Sequence, residues 1–105
     1  MLSIFPTEKY QEYLKKSECE SEEKLNDSKI KNVAEQAFYE FKKGVITLDN
    51  FCSLGEYLFY KIKEQSGKFA TALLDCSELN YYIQIQDNDS DEFNAVMKRI
   101  EEYFS

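Results

Sequence analysis

Apolar residues recur along most of this chain at the three- and four-residue spacing of an amphipathic helix. The clearest such face predicts a helix that Asp27 or Ser28 caps and that ends at Gly44 after two lysines; its apolar positions are Ile30, Val33, Ala34, Ala37, Phe38 and Phe41. A shorter helix is predicted before it, opened by Pro6 with Thr7 as its N-cap, with Tyr10, Tyr13 and Leu14 on its apolar face.

A third helix is predicted to begin at Thr47, a good N-cap residue, and to end near Ser66 and Gly67. Its apolar side carries Leu48, Phe51, Cys52, Leu58, Phe59 and Ile62. Gly55 lies on the same face and costs the helix roughly 1 kcal/mol relative to alanine. We therefore expect Gly55 to let a neighbouring helix approach closely.

The last third of the chain predicts two more helices and one ambiguous segment. A short helix is expected over 69–76, where the apolar residues are nearly continuous and should be buried: Phe69, Ala70, Ala72, Leu73, Leu74 and Cys76. Residues 82–86 alternate with period two, which fits a short strand, an extended connector or an irregular turn. The turn at 87–92 starts a final helix with Phe93, Val96, Met97, Ile100, Tyr103 and Phe104 on one face.

These elements predict an all-α fold, an antiparallel bundle of four or five helices that forms one domain over 1–105. Twenty acidic residues against thirteen basic ones give a net charge of −7, which argues against direct binding of nucleic acid. The N-terminus has no basic region and no long apolar run, so we expect no signal peptide, no membrane contact and a cytoplasmic location.

Metal and cofactor sites are not expected. The chain has no histidine, and Cys19, Cys52 and Cys76 lie far apart, so three free thiols in a reducing compartment are predicted, with Cys52 and Cys76 in the core. The tract Asp87-x-Asp89-x-Asp91 resembles the start of a calcium-binding loop. However, the required glycine and bidentate glutamate are replaced by Glu92 and Lys98.

An enzyme is not expected either. Without histidine, a serine or cysteine nucleophile lacks its usual base, and the chain has no glycine-rich phosphate loop. Asp75 and Glu78 could in principle act as an acid–base pair, but we expect them to be solvated carboxylates on an exposed acidic surface. The sequence favours a binding protein over a catalyst.

A tract without any lysine or arginine extends from Phe69 to Met97. It contains the adjacent Tyr81 and Tyr82 and six acidic residues: Asp75, Glu78, Asp87, Asp89, Asp91 and Glu92. Because adjacent residues of a helix or strand cannot both face inward, at least one tyrosine should be exposed. One interpretation is an ordinary half-buried tyrosine whose hydroxyl lies in water. The other is a pair of interface anchors on an acidic surface that attracts a basic partner.

A second acidic cluster comprises Glu18, Glu20, Glu22 and Glu23. Charge runs of this kind are usually solvated loops or exposed helix faces. Here the cluster could also extend the footprint of a basic partner.

The tract 77–82, with the sequence SELNYY, the turn 87–90 and the closing helix resemble the second half of the E-group colicin immunity proteins. That family consists of small acidic four-helix proteins that bind and block nuclease toxins. The resemblance implies roles in binding for Glu78, Tyr81 and Tyr82. The chain departs from the family pattern at Ile83, where the family has a proline.

The tract 41–51, with the sequence FKKGVITLDNF, is similar to the helix–turn–helix of colicin D-type immunity proteins, and the similarity extends over about residues 30–104. Those proteins neutralise a tRNA-cleaving toxin by mimicking its acidic substrate, and contact-dependent inhibition immunity proteins share this logic. The resemblance implies a cytoplasmic immunity protein, monomeric or weakly dimeric when free, that occludes a basic nuclease domain. A phage-type anti-defence mimic of nucleic acid and a helical adaptor domain are the alternatives.

Overall fold

The computed structural model describes residues 6–86 and 89–105, and in this part of the chain it is all-helical, without strands. The helices are α1 (Thr7–Lys16), α2 (Asp27–Lys42), α3 (Leu48–Phe59), α4 (Lys68–Gln84) and α5 (Asp91–Phe104), with a short 3₁₀ turn at Glu22–Lys24. The all-α fold class predicted from the hydrophobic pattern is confirmed.

One hydrophobic core receives the apolar faces of all five of these helices. α4 packs against both α3 and α5, whereas α1 packs on α2 and α2 on α3. An aromatic cluster joins α2, α3 and α5, with Phe38 stacked on Phe104 at a ring-centroid distance of 5.1 Å and Phe41 stacked on Phe51 at 5.7 Å. α4 therefore lies between α3 and α5.

The helix caps agree with the sequence at some ends and not at others. The Thr47 side chain accepts a hydrogen bond from the Asn50 amide at 3.0 Å, as predicted. α2 is capped by Asn26, which accepts from the Lys29 amide at 2.9 Å, rather than by Asp27 or Ser28. Thr7 is the first residue of α1 and not its cap.

Asp27 instead connects α2 to the segment that follows α3. Its two carboxylate oxygens accept hydrogen bonds from the backbone amides of Lys63 and Glu64, each at 2.9 Å, and these bonds lower the pKa of the Asp27 carboxyl. α3 ends at Phe59, well before the predicted end near Ser66 and Gly67. The amides at 63 and 64 thus bond to a distant side chain instead of continuing the helix.

α4 is longer than the sequence suggested. It continues past Cys76 to Gln84, and residues 82–84 are helical while 85–86 form a turn, so the strand and extended-connector interpretations of 82–86 are wrong. Packing of Leu79 into the core outweighs the local period-two pattern, which covers only five residues. Leu74 is exposed, contrary to the expectation that all of 69–76 is buried.

The crossing of α3 and α4 confirms the role predicted for Gly55. A Cβ atom at this position would lie 2.6 Å from the Cβ atom of Cys76 and 2.7 Å from its Sγ atom. No side chain fits at that distance, so the backbone of α3 at Gly55 packs directly against the side chain of Cys76 on α4. Cys52 and Cys76 are both fully buried beside this crossing, as expected.

Candidate protein-binding surface

The outward face of α4 carries an exposed apolar stripe with one acid in it. Leu74, Glu78, Tyr81 and Ile85 follow one another at spacings of four, three and four residues, which places them within an arc of about 60° on a helix. Leu74 and Ile85 are each 51% exposed and Tyr81 is 60% exposed. Three large apolar side chains thus face outward along one line, and the Glu78 carboxylate lies between them.

The two adjacent tyrosines have different environments. Tyr81 projects from the helix, whereas Tyr82 is half-buried and packs against the core; their ring centroids are 5.8 Å apart. The prediction that at least one of the pair is exposed is confirmed. The geometry makes Tyr81 the accessible aromatic group of this surface and Tyr82 its support.

Asp75 is not on an exposed acidic surface, which corrects the interpretation drawn from the sequence. It is 7% exposed, and its carboxylate receives the Arg99 guanidinium, with Nη2 at 3.1 Å and Nε at 3.4 Å. The hydrogen bond to Asp75 raises the pKa of Arg99, and the negative charges of Asp75 and Glu78 add to the effect. The tract 69–97 lacks basic residues in sequence, but α5 supplies one in space.

Three further acids were predicted at the start of the last helix. Asp89 and Asp91 are exposed beside the N-terminus of α5, where Ser90 caps the helix by accepting from the Phe93 amide at 3.1 Å. Asp87 lies outside the described residues. Since α5 begins only a few residues after α4 ends, Asp89 and Asp91 lie at the Tyr81 end of α4.

The second acidic cluster, at 18–23, is divided by the fold. Glu18, Glu20 and Glu23 are exposed, and Glu20 pairs with Lys24 at 2.9 Å. Glu22 is partly buried and bonds to Tyr10 and Tyr57, which sets it apart from these exposed acids. Sequence reasoning could not separate these four residues, because nothing local distinguishes Glu22 from its neighbours.

Glu22 links three parts of the bundle. Its Oε2 atom accepts hydrogen bonds from the hydroxyls of Tyr10, at 2.7 Å, and Tyr57, and its Oε1 atom lies 3.6 Å from Lys61 Nζ. Burial alone would raise the pKa of Glu22, but the bonds from Tyr57 and Tyr10 and the Lys61 charge outweigh it, so the pKa lies below its usual value. Burial and the bond to Glu22 raise the pKa of Tyr57 to about 12.

The sequence missed Leu74, Ile85 and Arg99 as members of the α4 surface. The signal for the first two was present, since 74, 78, 81 and 85 share one face once α4 is allowed to continue to residue 84. Arg99 could not be found without knowing which face of α5 packs on α4.

Among residues 6–86 and 89–105, no group of three or more cysteines, aspartates or glutamates is arranged to hold a metal ion. None of the helices described is both long enough and apolar enough to cross a membrane.

Comparison of the chain with protein-family models, with curated proteins and with solved structures gave no match.

Proposed function

We propose that this chain is an immunity protein, which binds the basic nuclease domain of a bacterial toxin in the cytoplasm and blocks its active site. The observation that carries the proposal is the outward face of α4, where Tyr81 and two aliphatic side chains surround Glu78. The resemblance of the tracts at 77–82 and 41–51 to colicin immunity proteins supports the same function.

Tyr81 has the properties of an interface anchor. It is large, has few rotatable bonds and stands on a helix that is packed on both sides, so binding costs little conformational entropy. Leu74 and Ile85 on either side would exclude water from its contacts. A hot-spot tyrosine of this kind contributes much of the binding free energy, and its neighbours contribute shape complementarity with the partner.

The acids contribute selectivity for a basic partner. A nuclease active site must hold phosphates and is therefore basic, and a protein of net charge −7 approaches it with electrostatic steering. Glu78 is exposed three residues before Tyr81 on α4, and Asp89 and Asp91 are exposed at the start of α5. We favour a ribonuclease, in particular one that cleaves tRNA, because of the similarity to colicin D-type immunity proteins.

The test begins with capture of partners from the native host at low and high salt, followed by purification of any basic nuclease domain. We expect a stoichiometric complex in which RNA cleavage stops. Tyr81→Ala should weaken the complex by about 2 kcal/mol or more, roughly thirtyfold in Kd measured by calorimetry.

Tyr39→Ala is the matched control, because Tyr39 is equally exposed but stands on α2. It should change Kd less than twofold. Equal affinities for the two variants would contradict the proposed surface. Capture of a host defence nuclease in place of a toxin would instead identify an anti-defence inhibitor.

A further inference from the structure

One guanidinium on α5 lies within reach of two carboxylates on α4. Arg99 makes its closest contacts to Asp75, through Nη2 at 3.1 Å and Nε at 3.4 Å, while its Nη2 atom lies 3.9 Å from Glu78 Oε1. Asp75 thus accepts from two donors, Nε and Nη2, on one edge of the guanidinium, and Glu78 has only the longer contact.

The two carboxylates differ in what they lose without Arg99. Asp75 is buried, so water cannot solvate its charge and the ion pair is its main compensation. The Glu78 side chain is 47% exposed and remains hydrated. Burial therefore favours Asp75 strongly in the competition for Arg99.

We propose that Asp75 is a positioning residue of the α4 surface, which holds Arg99 and keeps it from forming a closer ion pair with Glu78. This inference rests on the proposed function, since it concerns the charge that α4 offers to a basic partner. Asp75 itself does not touch that partner. Its role is to leave Glu78 as the available carboxylate beside Tyr81.

A double-mutant cycle on the complex with the purified nuclease domain tests the proposal. Asp75→Asn removes the counterion without changing side-chain size, so Arg99 turns to Glu78 and the affinity should fall about tenfold. In the Arg99→Gln background the same substitution should change Kd less than twofold. Circular dichroism and cooperative unfolding of each variant establish that it is folded.

Glu101→Gln is the matched control for loss of an ion pair on α5, because Glu101 pairs with Lys42 at 2.7 Å on the α2 side. It should leave the affinity unchanged. A tenfold loss for Asp75→Asn in both backgrounds would show that Asp75 contacts the partner directly. No loss in either background would show that Arg99 does not depend on Asp75. Both results overturn the proposal.

A second measurement needs no partner. Arg99 is the only arginine in the chain, so its Nε–Hε group gives a single unmistakable ¹⁵N–¹H signal. Asp75→Asn should shift this signal and accelerate its exchange with water at least about fivefold, whereas Glu78→Gln should accelerate the exchange less than twofold. The opposite pattern would mean that Glu78 holds Arg99, and the inference would fail. If the wild-type protein binds no basic nuclease domain, the proposed function fails separately, and this signal still reports whether Asp75 holds Arg99.

Discussion

Tyrosine and glutamate side chains lie close together both at Glu22 and on the outer face of α4, with opposite results. At Glu22, hydroxyls from α1 and α3 converge on one carboxylate and hold it in a partly buried position. On α4, Glu78 and Tyr81 lie three residues apart on the same outward face, and Tyr81 stays exposed. The same pair of residue types forms a structural connection in one region and an accessible surface in the other.

The difference comes from how many elements supply partners. Glu22 sits in the connector between α1 and α2, where Tyr10, Tyr57 and Lys61 come from separate parts of the chain. Glu78 and Tyr81 belong to one helix, so their side chains lie next to each other on the outward face of α4. Acid-and-tyrosine composition does not identify a binding site until the tertiary neighbours are known.

Removal of the Glu22 carboxylate should destabilise the fold more than any other change considered. Glu22→Ala leaves the hydroxyls of Tyr10 and Tyr57 without their acceptor, and we expect the free energy of unfolding to fall by about 2–3 kcal/mol in urea denaturation. Tyr57→Phe removes a single bond and should cost about 1 kcal/mol. A loss below that of Tyr57→Phe for Glu22→Ala would show that Glu22 does not connect the helices.

A pH series tests whether the Glu22 carboxylate must be charged to stabilise the fold. Because the folded protein lowers the pKa of Glu22, the stabilisation is present above the ordinary glutamate pKa of about 4.3 and is lost as pH falls through the lowered value. The stability difference between wild type and Glu22→Gln should therefore shrink when denaturation is repeated from pH 6 down to pH 3. In a Tyr57→Phe background this pH dependence should be weaker, and an unchanged dependence would contradict the assignment.

Substitutions of Glu78 and Tyr81 on α4 should change the stability of the fold least. Tyr81→Ala and Glu78→Gln should each change the free energy of unfolding by less than about 0.5 kcal/mol, because neither side chain is buried. The same denaturation experiment measures both. A loss comparable to that of Glu22→Ala would make Tyr81 a structural residue and would remove the distinction between the two regions.

The hydrophobic pattern predicted the fold class and the cores of most helices. The threonine cap at 47, the glycine stop at 44 and the close approach at Gly55 are all local signals, and all appear in the structure. Helix ends were less predictable. α3 ends at Phe59, and the backbone amides of Lys63 and Glu64 beyond it bond to the side chain of Asp27, which precedes Lys63 by 36 residues.

The candidate surface was only partly predictable. Glu78 and Tyr81 are exposed, but Asp75 and Glu22 each find a partner from another helix, which no pattern along the chain could reveal. Leu74 was assigned to the core because its neighbours are apolar. Its place on the outer face depends on the true length of α4 and on which sides α3 and α5 occupy.

The contact at Gly55 has a kinetic consequence. The thiols of Cys52 and Cys76 are sealed between α3 and α4, and burial raises the pKa of both above the ordinary thiol value. A thiol reagent reaches them only when the two helices separate, since a buried neutral thiol does not react. The labelling rate of Cys52 and Cys76 therefore measures how often α4, the helix that carries Tyr81, separates from α3.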